Sequence, residues 1–309
     1  MTTMSKRDFL NLSSLALSEA RQVLALAGTL KGQPKGSQTE LLRGRAVAII
    51  FEKASTRTRV SFEVGVAQLG AHPVVLGVQG SQLGRGEPIR DTARVLERYC
   101  DAIVYRTSAT ARLLEMATAS VPVINALTDD SHPVQILCDI FTVEEELGAS
   151  IAGKRIAFVG DCGCNMARSW LEAAPIFGFD LVLAGPSAYG PPPLELARAG
   201  ARVTREHDPS RAVADCDVVN TDVWTSMGQE AETDERTDAF AGWTVNERML
   251  RQAKAHAFVL HCLPAHRGEE IDAATLDGPS SKVWDQAENR LHVQKALLAW
   301  LLGAAGRTS

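Results

Sequence analysis

The stretch Ala46-Val47-Ala48-Ile49-Ile50-Phe51-Glu52-Lys53-Ala54-Ser55-Thr56-Arg57-Thr58-Arg59 decides the fold. It opens on an unbroken apolar run of strand length, after which Val60, Phe62, Val66 and Leu69 recur at roughly helical spacing. A buried strand therefore gives way to a helix, with Ser55 as the expected N-cap. At such a junction the first helical N–H groups lack partners and carry the positive end of the helix dipole. Hydroxyls and arginines gathered there suit a compact, multiply charged anion, and phosphate is the obvious candidate. The same residues also describe a capped helix with a solvated basic first turn. Arginine in a first turn opposes the dipole, however, and its presence calls for a reason.

At about 150 residues per domain, a chain of 309 residues suggests two domains. Hydrophobic residues at 45% and charged residues at 22% fit an ordinary soluble globular protein. A net charge of −5 argues against a general nucleic-acid binder, so any anion site must be a local cluster. Cys100, Cys138, Cys162, Cys164, Cys216 and Cys262 form neither a C-x-x-C pair nor a disulfide framework, which fits a reducing compartment. No metal site is expected. Met1 to Leu10 lacks the apolar core of a signal peptide, and no apolar run approaches a membrane span. Together these features predict a cytoplasmic protein with no membrane partner.

Outward from the opening stretch, strand and helix alternate. A helix is expected over Leu15–Leu30, and strands over Pro73–Leu76, Ala102–Tyr105 and Val121–Asn125. Gly77–Pro88 reads as a polar, glycine-rich loop carrying Ser81, Gln82 and Arg85, and helices follow from Pro88 to Arg98 and Ala109 to Ala119. His132-Pro133 starts a helix reaching Gly148. The pattern then restarts, with strands at Lys154–Gly160, Leu181–Ala184, Ala201–Val203, Asp217–Asn220 and Phe258–His261. A helix is expected over Asn165–Phe177, a proline-rich loop over Gly185–Pro193, and an aperiodic segment over Thr221–Gly242. A closing helix spans Ala287–Leu302. The expected fold class is α/β: two doubly wound domains with mostly parallel sheets, joined by helices. The boundaries fall at 1–133 and 134–286, with helix 287–303 packing back on the first domain.

In such sheets ligands bind beyond the carboxyl ends of the strands. Those ends hold Ser55–Arg59, Arg106, the turn to His132, Asp161–Asn165, Asp222 and His261-Cys262-Leu263-Pro264. One domain offers arginines and hydroxyls, the other amide, carboxylate and thiol, as a phosphate-bearing donor and an amine acceptor would require. Duller readings stand beside these. Arg106 also fits a surface arginine, His132 a helix cap, and Gln135 a solvated first-turn residue. Asp161 and Asp222 fit turn residues bonding their own backbone, and Cys262 a buried structural thiol. Gly160-Asp161-Cys162-Gly163 lacks the G-x-G-x-x-G spacing, and no G-x-x-x-x-G-K-[ST] occurs, so dinucleotide and P-loop enzymes fit poorly.

Ser55-Thr56-Arg57-Thr58-Arg59 resembles the carbamoyl phosphate signature of the aspartate/ornithine carbamoyltransferase family, and His132-Pro133-Val134-Gln135 its second signature. Asp222-Val223-Trp224-Thr225-Ser226-Met227-Gly228 is similar to the ornithine-specific mobile loop. His261-Cys262-Leu263-Pro264 is similar to the ornithine-type motif, and Asp285–Arg290 to the family's closing motif. The likeness covers nearly the whole chain, and these motifs stand in the family's order.

The resemblance implies transfer of a carbamoyl group from carbamoyl phosphate to the δ-amino group of L-ornithine, giving L-citrulline and phosphate without a metal or organic cofactor. It implies that Ser55, Thr56, Arg57 and Thr58 hold the phosphate and that Arg106 bridges phosphate and carbonyl oxygen. His132 and Gln135 would orient the carbamoyl group, and Arg290 would help bind its oxygen. Gln82 would arrive from a neighbouring subunit of a homotrimer. Asn165, Asp222, Ser226 and the Met227 backbone would fix ornithine, with Asp222 and Cys262 near its δ-amine and Leu263 supplying backbone carbonyl contacts. Cys262 and Leu263 thereby also line the carbamoyl phosphate side. Two positions depart from the family pattern. Cys164-Asn165 replaces an Asn-Asn pair, and Arg168 stands where histidine or asparagine is common. A carbamoyltransferase for another amine, such as putrescine or an N-acylated ornithine, and a non-catalytic carbamoyl phosphate-binding homologue remain alternatives.

Overall fold

In the computed structural model, which describes residues 6–77, 82–225 and 230–307, the chain divides into Met1–Leu137 with Asn289–Ser309 and Cys138–Glu288. The first unit opens with α1 (Leu17–Gly32), which buries Ala20, Val23, Leu24, Ala27 and Leu30. The apolar run follows as β1 (Ala46–Phe51), whose Val47, Ala48 and Ile49 are fully buried. Burial on both faces is why the run is continuous rather than alternating. Then come α2 (Thr56–Gln68), β2 (His72–Gly77), α3 (Ile89–Leu96), β3 (Ala102–Arg106), α4 (Thr110–Met116) and β4 (Val123–Leu127). All pairs are parallel, in the order β2-β1-β3-β4. The chain moves from β1 outward to β2 and then back to β3 on the other side. The gap between the carboxyl ends of β1 and β3 is thus the topological switch point, where open α/β sheets place their ligands.

Short contacts close this sheet. Phe9 bridges to Ile124, its N–H donating to the Val123 carbonyl at 2.9 Å, so the N-terminal segment covers the β4 edge. Gly70 has φ +83°, and a Cβ there would stand 1.7 Å from the Thr39 carbonyl oxygen. Only glycine lets the chain leave α2 for β2 at this place.

The linking helix α5 (Pro133–Leu147) leads into the second unit, with β5 (Arg155–Val159), α6 (Asn165–Phe177), β6 (Asp180–Ala184), α7 (Pro193–Ala199), β7 (Val203–Glu206) and β8 (Val218–Thr221). There follow α8 (Thr233–Ala239), α9 (Glu247–Leu250), β9 (Phe258–His261), α10 (Ala273–Leu276) and α11 (Val283–Leu301). This parallel sheet runs β7-β6-β5-β8-β9, with its switch point between β5 and β8. Ala157, Val159, Val182, Val219 and Val259 form one face of its core, with Trp224, Phe240 and Trp243 packed into the same cluster.

The two parallel α/β sheets are those expected, while several boundaries differ. β4 starts two residues late because Pro122 has no N–H for the ladder, although its carbonyl still accepts from Ile103 at 2.9 Å. β7 lies at Val203–Glu206 rather than Ala201–Val203, since a polar edge strand carries little apolar signal. The supposedly aperiodic Thr221–Gly242 segment contains α8, a charged helix whose only buried residue is Arg236. The closing helix begins at Val283, a turn early, and α7 starts on Pro193 at its first position, where proline is tolerated. No described helix is long and apolar enough to cross a membrane.

Candidate functional site

Ser55 occupies the N-cap of α2, but its side chain makes no capping bond. Its hydroxyl oxygen instead accepts from Arg106 Nη1 at 3.0 Å. The same nitrogen reaches Thr58 Oγ1 at 3.4 Å, and Arg290 Nη2 donates to that oxygen at 2.7 Å. The ends of β1 and β3, the first turn of α2 and α11 thus converge on two hydroxyls. An oxygen that accepts from a guanidinium keeps its own proton for donation, so the cluster turns a serine, a threonine and two arginines into a set of donors. With the α2 N-terminus beside it, this is an anion cradle.

His132 adds a neutral group. It is 4% exposed, and its carbonyl accepts the Gln135 N–H at 3.0 Å as α5 begins. Burial, and then the charges of Arg290 and Arg106, hold its imidazole well below the usual histidine range. A preceding turn fixes it: the Ser131 N–H donates to Thr128 Oγ1 at 3.1 Å, and Asn125 Nδ2 to Ser131 Oγ at 3.0 Å. Gln135 is fully buried one turn into α5. Thr56 and Arg57 are exposed in the first turn of α2. Gln82 is exposed before the short turn Leu83–Arg85. The hydrogen bonds described above do not tie these three into the cluster.

In the second unit, Asp222 follows β8 and Cys262 follows β9. Cys262 Sγ donates to Asp222 Oδ1 at 3.1 Å, and the Val223 N–H donates to the same oxygen at 2.9 Å. Burial pushes the Asp222 carboxyl up, against the opposing effects of His261 and the Cys262 bond. His261 is held in one tautomer. Its Nδ1 accepts the Leu263 N–H at 2.9 Å, so the proton sits on Nε2, 3.0 Å from Glu270 Oε1. That buried pair supports Leu263, whose φ of +60° is unusual for a branched residue. Asp222, His261 and Cys262 have donor atoms close enough to share a cation. Both histidine nitrogens, the thiol and Asp222 Oδ1 are already engaged within the protein, His261 with Leu263 and Glu270 and the thiol with Asp222.

Asn165 is the first residue of α6, and its carbonyl accepts from Ser169 Oγ at 2.7 Å. Cys164 takes the N-cap position, its thiol pushed up by burial and by the carboxylates of Asp161 and Asp222. Arg168 finds its role in packing, with Nη2 2.6 Å and Nε 2.9 Å from the Glu195 carboxylate of α7. Ser226 and Met227 lie outside the described residues.

Two side chains without an expected role stand out. Arg236 of α8 is buried and donates through Nη1 to Asp161 Oδ2 and to the Trp224 carbonyl, both at 2.8 Å. It ties the segment after Asp222 to the turn after β5. Glu52, inside the opening stretch, accepts from Tyr105, Thr107 and Arg112. Glu52 stood in the opening stretch but outside the Ser55–Arg59 signature; for Arg236 there was no signal, because a charged residue in a charged helix looks solvated.

A family model for the aspartate/ornithine carbamoyltransferase carbamoyl-P binding domain matches residues 7–145, and one for the Asp/Orn binding domain matches residues 152–301. An ornithine carbamoyltransferase of Sorangium cellulosum is 67% identical over 97% of this chain and 99% of its own. One of Geobacter sulfurreducens is 53% identical over 96% of this chain and 99% of its own. The structure of ornithine carbamoyltransferase from Pyrococcus furiosus superposes with a TM-score of 0.89 at 45% identity, covering 98% of this chain and 99% of that one.

Proposed function

This chain belongs to the aspartate/ornithine carbamoyltransferase family, and on that premise we propose that it transfers the carbamoyl group of carbamoyl phosphate to the δ-amino group of L-ornithine. L-citrulline and phosphate are the products. The observation that carries this reading is the hydroxyl–guanidinium cluster of Ser55, Thr58, Arg106 and Arg290 at the switch point of the first sheet.

Ser55, Thr56, Arg57 and Thr58, with the α2 N-terminus, hold the phosphate. Arg106 spans phosphate and carbonyl oxygen. His132, Gln135 and Arg290 orient the carbamoyl group, and a neutral imidazole does so as a hydrogen-bonding group without adding positive charge. The δ-amine sheds its proton and attacks the carbamoyl carbon, and negative charge grows on the carbonyl oxygen. Donors from Arg106, His132 and Thr58 stabilise that oxyanion. The C–O bond to phosphate then breaks, with Arg57 and the helix N-terminus neutralising the leaving group, which takes up the amine proton. Asn165, Asp222, Ser226 and the Met227 backbone bind the α-amino and α-carboxylate groups of ornithine, while Cys262 and Asp222 flank the δ-amine and Leu263 offers its carbonyl. The donor is bound by the unit of Met1–Leu137 with Asn289–Ser309, the acceptor by the unit Cys138–Glu288. The protein works in the cytoplasm as a homotrimer, each site receiving Gln82 from a neighbour.

Purified protein with carbamoyl phosphate and, in parallel, L-ornithine, putrescine, N-acetylornithine or aspartate tests the reading. Citrulline with ornithine and no product otherwise is expected. Turnover with another amine instead would move the acceptor assignment, and silence with all four would leave a carbamoyl phosphate-binding protein.

A further inference from the structure

Glu52 sits beside the donor cluster and meets it through the Arg106 backbone. Its N–H donates to the Arg106 carbonyl at 2.9 Å, and its carboxylate accepts from Tyr105 Oη at 2.5 Å, from Thr107 Oγ1, and from Arg112 Nε at 2.9 Å. Burial would push this carboxyl up, but the bonds from Arg112, Thr107 and Tyr105 outweigh it and hold Glu52 below the usual range. Tyr105 and Thr107 flank Arg106 in sequence. Sharing one carboxylate, they lie on one face of the segment, so Arg106 between them is turned to the other face, toward Ser55 and Thr58.

The strand pairing is irregular beside this carboxylate. Between Tyr105 and Arg106 the pairing of β3 with β4 slips, from Tyr105 opposite Asn125 to Arg106 opposite Leu127. The extra residue is Ala126 of β4, so the irregularity lies in the strand beside Arg106, and the Thr107 N–H still donates to the Leu127 carbonyl at 3.1 Å. On the β1 side, the Glu52 N–H takes the Arg106 carbonyl and continues the pairing one residue past Phe51.

We propose that Glu52 is the positioning residue of the donor site: from the β1 side it grips both neighbours of Arg106 and so sets the direction of the guanidinium that binds phosphate. The proposal rests on the donor-site reading above and deepens it. Loss of the carboxylate would leave Arg106 present but free to swing, and anion affinity would fall before anything on the acceptor side changed.

The test is Glu52→Gln, with Tyr105→Phe and Thr107→Val as companions, each removing one donor to the same carboxylate. Inorganic phosphate binding is measured by calorimetry, and KM is measured separately for carbamoyl phosphate and for ornithine. Loss of charge-assisted hydrogen bonding predicts that Glu52→Gln weakens phosphate binding and raises the carbamoyl phosphate KM about tenfold, with the ornithine KM unchanged. The companions should move the same two quantities in the same direction by smaller factors. A folded Glu52→Gln protein that binds phosphate like the wild type would overturn the proposal, as would equal rises in both KM values, the mark of a merely structural role. Should Glu52→Gln fail to fold, unchanged phosphate affinity in both companions would overturn it equally. Wild-type protein that binds no phosphate would instead overturn the donor-site reading itself.

Discussion

Burial, and then the charges of Arg290 and Arg106, hold the His132 imidazole well below the ordinary histidine value. The unfolded chain takes a proton near pH ~6.5, the folded one only at lower pH, so the unfolded state binds more protons across that window. Stability is fully present above about pH 6.5 and is lost as pH falls below it, at up to about 1.4 kcal/mol per pH unit. Denaturant titrations of the wild type and of His132→Gln between about pH 7.5 and about pH 5 should show the loss in the first and a shallower slope in the second; equal slopes would contradict it. A second prediction concerns Cys262, whose thiol meets Asp222 at 3.1 Å. Cys262→Ala should slow ornithine turnover about tenfold, the scale of one lost polar contact, while phosphate affinity stays unchanged. Unchanged turnover would remove Cys262 from the acceptor side. At this scale much of the candidate site was legible, because Ser55, Thr58, Arg106, His132, Asp222 and Cys262 stand at strand ends or where the next helix begins. The pairings that support them were not, although Arg290 itself stands among the expected residues. Glu270 fixes His261 from nine residues away, and Arg290 reaches Thr58 across most of the chain. Such pairings are made by packing and leave no local pattern.

Among elements, β1, α2 and α6 were readable because apolar period and capping position agree there. β7 and α8 were not, since an edge strand and a solvated helix carry weak periodicity. The consequence is largest for α8, whose Arg236 is 7% exposed and paired with Asp161, 8% exposed. The Arg236 guanidinium also lies 5.1 Å from the Tyr189 ring centroid, and Trp224 stacks on Phe240 at 5.5 Å. Together these contacts fasten the described part of the segment that starts at Asp222. Breaking a buried pair by removing one partner costs about 3–5 kcal/mol. Arg236→Met should therefore lower the unfolding free energy by that order and raise the ornithine KM, with phosphate affinity intact. Urea titration together with the KM pair checks it; an unchanged ornithine KM would confine Arg236 to stability.

For the whole molecule, the proposed trimer has a surface to answer for. Val60 and Val64, one turn apart on α2, are 52% and 39% exposed, an apolar pair that water leaves poorly served. Light scattering should give a particle of three 33.2 kDa chains, and Val60→Glu with Val64→Glu should reduce it to one. A wild-type monomer would remove both the trimer and the shared Gln82. The central claim is a transfer of carbon between two molecules, and its most direct measurement is carbon NMR of the purified protein with carbonyl-labelled carbamoyl phosphate and L-ornithine. The label should move to the ureido carbon of citrulline, on the δ-nitrogen, with one phosphate released per label transferred. Label that remains in carbamoyl phosphate, or leaves as carbon dioxide and ammonia at the uncatalysed rate, would contradict it.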